Sequence, residues 1–369
     1  MESVKKNRIL WYWISKEEGI GHKTIALLLT TFHSIEGVYK AKKEVVLNLN
    51  LKEEVVEYLS NKKSLEELEK EYDKMIDRGI YFISIEDKEY PEKLKKLFDA
   101  PWFLYYRGEL PKDDLPSIAV IGARNCSAYG SDVAYYFSKE LSKLGIQIIS
   151  GLARGVDGMA HKGALSSGGK TYGVVGNGLD LCYPRENYEL YQELNSKGGI
   201  LSEYPLGSKA LPYHFPLRNR IIAALSDGIL VVEAREKSGT LITVDSGLEQ
   251  GKDIFAVPGK LTDELSKGCN NLIQSGAKLI LDPEDILIEL RNQYSSLLGR
   301  KTKVIESSRE DLSEIEQQLY SLLSHQAIHV EELLLKSNMN QGQVLETLFE
   351  LECKRYVKKI TGQQYVKVL

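Results

Sequence analysis

Between Tyr204 and Ser226 the chain has no acidic residue, yet it carries three positive ones, Lys209, Arg218 and Arg220. Phe215 and Asn219 lie among them. Guanidinium groups make charge-assisted hydrogen bonds to phosphate oxygens. An aromatic ring beside them stacks on a nucleobase for about 1–3 kcal/mol, or serves as an apolar plug beneath its loop. Arg218 and Arg220 stand at the start of a helix expected over Asn219–Leu225, where the first N–H groups and the helix dipole add to their pull on an anion. Either arginine has Glu203 or Asp227 as an alternative partner. Two more arginines occur in glycine-rich turns, Arg124 after Gly122-Ala123 and Arg154 within Gly151–Gly158. In the second turn Asp157 suits the cap of the following helix. The chemistry that these residue types support is anion recognition.

Signals for catalysis, metals and cofactors are weak. The six histidines, His22, His33, His161, His214, His325 and His329, do not cluster with a nucleophile. The His325/His329 pair has metal-like spacing but no third ligand. Asp157, Asp180 and Glu233 fall near strand ends without forming a pair. Four cysteines lie far apart with no CxxC, against a zinc module or disulfide framework and in keeping with a reducing cytosol. Gly122-Ala123-Arg124 is not the GxGxxG of dinucleotide sites. Ala164–Thr171 resembles a phosphate-binding P-loop, but a helix precedes it and a strand follows, so the helix dipole points the wrong way. Gly168-Gly169 is better read as a helix C-cap. No catalytic residue, metal or cofactor is expected.

The elements that must position the arginines alternate regularly. Short Val/Ile strands are expected at Ile80–Ile85, Ile118–Ile121, Ile146–Ile149, Thr171–Val175, Gly199–Glu203, Gly228–Val232 and Ile254–Val257. Helices separate the later ones, which indicates a parallel sheet covered on both faces. Ligands in such sheets bind beyond the carboxyl ends of the strands. That rule selects the loops Gly122–Gly130, Ser150–Asp157, Gly176–Asn187, Tyr204–Arg218 and Glu233–Thr240. Residues 1–78 read as helical. Their Gly19-Ile20-Gly21 turn is either a tight connection or a helix-hairpin-helix contact to a DNA phosphate. Residues 79–290 hold the α/β domain and 291–308 a linker. Residues 309–369 show three amphipathic helices and a hairpin, the winged-helix order. Its third helix carries Glu346, Glu350 and Glu352, so a protein partner and a duplex are equally open. The 369 residues, 43% hydrophobic and 27% charged with net charge −4, give no global sign of nucleic-acid binding. The N-terminus is too weakly apolar for a signal peptide, no run is long enough to span a membrane, and a cytoplasmic protein is expected.

Together the motifs resemble the DNA-processing protein A family, also called DprA or Smf. The residues that carry the resemblance are Val120–Asn125, Ser150–Asp157 with Ala160-His161, Gly176–Asp180 with Tyr183–Asn187, and Leu201–Pro205. They continue through Phe215–Ile222, Ser238–Thr243 and Val257–Gly259. The resemblance implies an extended Rossmann-like central domain, a small SAM-like helical N-terminal domain and a C-terminal winged helix. It implies a homodimer that binds single-stranded DNA in a positive pocket and loads the RecA recombinase during natural transformation, with single-strand-binding protein as a further candidate partner. Arg124, Phe215, Arg218 and Asn219 match the motifs directly. Lys209 is the candidate for the pocket lysine, although loop spacing weakens that transfer. Ala123 stands where members often carry serine. An enzyme is the alternative, because Ser238-Gly239-Thr240 resembles the lysine-decarboxylase-like nucleotide-ribose hydrolases. Thr243, however, stands where their catalytic glutamate would be.

Overall fold

The apolar runs in the middle of the chain are short, β-branched and buried along their whole length; Ser117–Ile121 is one example. Such runs pair into a sheet covered on both faces. The computed structural model describes residues 2–298, 312–324, 327–354, 356–360 and 362–367. Among them one nine-stranded sheet holds β1 (Tyr81–Ser84), β2 (Phe103–Gly108), β3 (Ser117–Ile121), β4 (Gln147–Ser150) and β5 (Thr171–Val175). The rest of it is β6 (Gly199–Ser202), β7 (Gly228–Val231), β8 (Asp253–Ala256) and β9 (Lys278–Leu279). The order is β1-β2-β6-β5-β4-β3-β7-β8-β9. From β6 to β9 every pairing is parallel, and β2 and β1 extend the β6 edge antiparallel. The chain steps outward from β3 to β6 and then returns to place β7 on the other side of β3. That reversal leaves a crevice at the carboxyl ends of β3 and β7.

Helices α1 (Glu2–Ser15), α2 (His22–Phe32), α3 (Ile35–Lys40), α4 (Lys43–Leu47), α5 (Glu53–Ser60) and α6 (Leu65–Asp77) precede the sheet. The expected boundary at 78/79 is not a break in packing. Trp11 stacks on Trp102 at 5.9 Å, and Tyr12 meets Phe82 and Tyr105 edge-on. The apolar face of α1 is therefore completed by the antiparallel strands, and Met1–Leu290 is one compact unit. In the Gly19–Gly21 turn Ile20 is buried in this core, while Gly21 is exposed at the start of α2.

Along the sheet follow α7 (Glu92–Lys95), α8 (Ala128–Lys143), α9 (Val156–Ser166), α10 (Tyr188–Lys197), α11 (His214–Leu225), α12 (Gly239–Glu249), α13 (Lys267–Gln274) and α14 (Pro283–Leu298). Gly168, at φ 73°, and Gly169 close the end of α9, with Gly169 N–H donating to the Ala164 carbonyl at 3.0 Å. The P-loop look-alike is thus a helix C-terminus. Two expectations are corrected. Helix α11 begins at His214 rather than Asn219, because Pro216 falls in the first turn, where no intrahelical N–H is needed. The expected linker 291–308 is helical through Leu298, with a break at Tyr294 (φ −122°, ψ 32°), and its remainder lies outside the described residues.

The second unit, Arg291–Leu369, holds α15 (Glu314–Leu322), β10 (Ile328–His329), α16 (Val330–Lys336), α17 (Gln341–Cys353), β11 (Val357–Ile360) and β12 (Gln364–Lys367). Its sheet order is β10-β12-β11. This is a winged helix around buried Leu319, Leu333, Val344, Leu348 and Leu351. Leu345, Glu346, Phe349 and Glu350 lie on the exposed face of α17. His329 caps α16, its ring Nδ1 accepting the Glu331 N–H at 3.3 Å, while His325 lies outside the described residues. No group of metal-ligating side chains occurs among the described residues. None of the described helices is long and apolar enough to cross a membrane.

Candidate nucleic-acid interface

Loops after β3, β4, β5, β6 and β7 converge on one cavity of about 680 Å³, and each of the five stretches selected from the sequence supplies part of its wall. The approach of the first two loops depends on missing side chains. A Cβ on Gly122 would lie 2.6 Å from Val156 Cγ2, and one on Gly155 (φ 71°) would lie 2.3 Å from the Ala123 carbonyl oxygen. Glycine is the residue that tolerates both the positive φ and the contact. Asn187 holds the second loop from outside, donating to the carbonyls of Leu152 and Ala153 at 3.0 and 3.1 Å.

Arg218 forms the floor. Only 5% exposed, it donates through Nη1 to the carbonyls of Gly151 (2.8 Å) and Val174, and through Nε to Asn219 Oδ1 at 3.2 Å. A Cβ on Gly151 would sit 2.8 Å from Arg218 Nη2 and 2.7 Å from Asp157 Oδ2, so this glycine makes room for both charged groups. Burial lowers the Arg218 pKa to about 10 against the opposing pull of Asp157. The guanidinium therefore stays protonated at neutral pH. Burial raises the Asp157 pKa, with Arg218 and the Gly151 N–H (3.1 Å) acting against the rise. Desolvation outweighs attraction for both groups, and an incoming anion would add a counter-charge for Arg218 while favouring the protonated form of Asp157.

Above the floor, Arg124 is exposed and lies 5.1 Å over the Phe215 ring, with Arg218 at 5.9 Å from the same centroid. Arg124 has no ion-pair partner among the described residues. Tyr183 touches Phe215 at 5.7 Å between centroids. Phe215 is thus a half-buried ring on the first turn of α11, held by cations and an aromatic neighbour, rather than a free loop side chain.

Other expected residues are placed differently. Arg220 leaves the cavity. Its Nη2 donates to both Glu203 oxygens at 2.8 and 2.7 Å, and its Nε meets Asp99 at 2.9 Å. It neutralises acids behind α11, the alternative that the sequence left open for Glu203. Arg154 lines a smaller adjoining cavity of about 180 Å³, and its guanidinium is engaged by Glu186 at 2.9 and 2.6 Å. That pair is solvent-exposed and worth little. Lys209 lines a neighbouring groove rather than the main cavity. The sequence did not single out Tyr183, Arg235 or Asn125 as site residues, although all three line the main cavity. For Tyr183 the signal was an aromatic residue inside a strand-end loop.

The acids at the strand ends are bound into the scaffold. Glu233 accepts from Ser127 N–H (2.9 Å) and Oγ (2.5 Å) at the start of α8, and Asp180 accepts from Gly207 N–H at 2.8 and 3.0 Å. His161 is fully buried against Thr171 Oγ1 at 2.6 Å, and burial lowers its pKa to about 3.

The family model described as DNA recombination-mediator protein A matches residues 81–291, more than half of the chain. The chain belongs to this family. A second model, the DprA winged helix domain, matches residues 306–363. The DNA processing protein DprA of Streptococcus pneumoniae is 45% identical over 206 residues, covering 56% of this chain and 73% of that protein. The X-ray structure of DprA from Streptococcus pneumoniae superposes with a TM-score of 0.65 at 37% identity, over 76% of this chain and 96% of that one. A DprA structure from Helicobacter pylori, described as showing a single-stranded DNA binding mode, gives a TM-score of 0.53 at 32% identity, over 58% and 97% of the two chains. The DprA-matched segment contains every lining residue of the main cavity.

Proposed function

We propose that this DNA recombination mediator binds single-stranded DNA in the main cavity and acts without catalysing a reaction. The observation that carries the reading is the pair Arg124 and Arg218 around Phe215 in a cavity built from five strand-end loops. A phosphate would bridge the exposed Arg124 and the buried, still charged Arg218, while a base rests against the Phe215–Tyr183 pair. Such contacts do not read sequence. The similarity to a DprA structure described as showing a single-stranded DNA binding mode supports the assignment. A cytoplasmic homodimer that loads RecA in natural transformation, alongside single-strand-binding protein, is the wider role that fits a family named for recombination mediation.

The reading as a non-enzyme rests on the carboxylates. Asp157 and Glu233 accept backbone hydrogen bonds, and Thr243, which is buried in the cavity wall, offers no acid where a nucleotide hydrolase would need one.

The test is fluorescence anisotropy with an oligothymidylate across a salt series. Arg124→Ala should weaken binding about tenfold and lower the log–log salt slope by about 0.7, the value for one lost phosphate contact on a single strand. Unchanged affinity and slope would remove Arg124 from the site. Tighter binding to duplex than to single strand would overturn the reading.

A further inference from the structure

Among the described residues three arginines, Arg124, Arg218 and Arg235, and one acid, Asp157, line the main cavity. A carboxylate beside an anion site opposes binding by like-charge repulsion. Asp157 is 8% exposed and forms no ion pair among the described residues. Its Oδ2 accepts from the Gly151 N–H at 3.1 Å. A Cβ on Gly151 would lie 2.7 Å from that oxygen and 2.8 Å from Arg218 Nη2. The carboxylate and the guanidinium thus flank one glycine, and each senses a charge that enters beside the other. Arg218, Arg124 and the N–H groups of Gly151 and Ala153 favour the ionised acid, but burial is the largest influence and favours the protonated one.

We propose that Asp157 takes up a proton as the strand binds, so that the phosphate meets a neutral acid and affinity falls as pH rises. The proposal rests on the strand-binding reading above and deepens it by naming the residue that sets the charge of that site. A phosphate between Arg124 and Arg218 places a negative charge beside a carboxylate largely shut off from solvent, where charges interact strongly. The bound state then holds more protons than the free one, and the binding constant falls with pH between the two titrations. The proton comes from solvent, and no covalent bond to the strand forms or breaks. His161, one turn along α9, is fully buried with its pKa lowered to about 3, so it stays neutral. Arg154, in the loop before α9, is paired with Glu186, and Glu233 is held by Ser127 at the start of α8. The Tyr191 hydroxyl on α10 donates to the Tyr183 carbonyl at 2.9 Å, and burial pushes up the pKa of both Tyr191 and Tyr204. On α11 the His214 ring donates to the Gly176 carbonyl at 2.9 Å and stacks on Tyr204, which makes it the rival proton acceptor.

The experiment measures the affinity of the full chain for an oligothymidylate from about pH 5 to about pH 8.5 at constant ionic strength, across the range in which a raised carboxyl titrates. The native protein is compared with Asp157→Asn, His214→Gln and Arg124→Ala. Thymine takes up no proton in that range. Native affinity should fall as pH rises, by up to about tenfold per unit, the limit for one proton. Asp157→Asn keeps an oxygen to accept the Gly151 N–H but carries no charge. It should converge with the native protein at the acid end, bind more tightly than it at the alkaline end, and show no fall. His214→Gln should keep the native fall. Calorimetry of the native protein in buffers of different ionisation enthalpy should find up to one proton taken up per site, a readout that does not depend on any variant folding.

A native affinity that does not change with pH, a calorimetric count of no protons, or an Asp157→Asn profile that falls like the native one overturns the proposal. So does a fall that His214→Gln abolishes, which would put the proton on that ring. If Arg124→Ala weakens binding at every pH in those cases, the cavity stands as the strand site and Asp157 is a cap alone. If Arg124→Ala also binds as native, the strand-binding reading itself fails.

Discussion

On α11 the side chain of Arg218 enters the crevice at the carboxyl ends of the strands. Arg220, two residues on and so roughly 200° around the helix axis, meets Glu203 and Asp99 on the other side. Replacing Arg220 by Met should lower stability by about 1–3 kcal/mol, since it strands Glu203 beside a half-buried site, and should leave single-strand affinity as it was. Chemical denaturation and anisotropy measure the two effects separately. A loss of strand affinity with unchanged stability would return Arg220 to the interface. Both arginines were equally visible in the sequence as positive residues in a stretch without acids, with Glu203 and Asp227 at its edges as open partners for either. Their sorting was not, because the acids that claim Arg220 come from Asp99 and Glu203, and helical phase could not be counted without the true start of α11. Glycine roles were only half legible: Gly122 and Gly151 stood out in turns, but the side chains they make room for, Val156, Asp157 and Arg218, are reached only through the fold.

At the scale of elements, the loop after β4 shapes the loop after β3. Gly155 packs against the carbonyls of Ala123 and Arg124, where a Cβ would come within 2.3 and 2.5 Å. Gly155→Ala should cost about 1–3 kcal/mol from the positive φ and the forced backbone shift. It should also weaken strand binding by displacing Arg124, although residue 155 itself does not line the cavity. A thermal melt with a parallel binding isotherm checks this, and unaltered binding in a destabilised variant would separate loop packing from the site. The alternation of strands and helices from β3 to β8 was legible because each strand is a short β-branched run. The strand β2 was not, since Phe103–Gly108 follows Pro101 and mixes aromatics without a period of two. The start of α11 was misplaced for a related reason: proline reads as a breaker, yet a first-turn proline is compatible with a helix.

For the whole molecule, every residue of the main cavity and of the groove beside it lies in the unit Met1–Leu290. Deleting 309–369 should therefore keep single-strand affinity within about twofold, as expected when the removed residues do not line the site. The exposed face of α17, with Glu346 and Glu350 beside Leu345 and Phe349, does not have the charge that phosphate would favour. A recombinase-loading assay on the deleted chain then reads the contribution of the winged helix alone. A tenfold loss of strand affinity would instead place part of the interface on that unit.

The reversal of the sheet at β3 also governs when the site comes into being. Ile118 pairs with Gly228, and the crevice lies between their strands, so its two sides are joined only after the intervening crossovers have been laid down. During synthesis the β3 loop leaves the ribosome long before β7 and the Arg235–Thr240 wall, and pairings this far apart in sequence form late. A nascent or truncated chain lacking β7 has Arg124 and the glycine turns but no enclosed pocket. The pocket is therefore expected only once β7 has paired with β3, and a chain truncated before β7 should lack the strand affinity proposed for it.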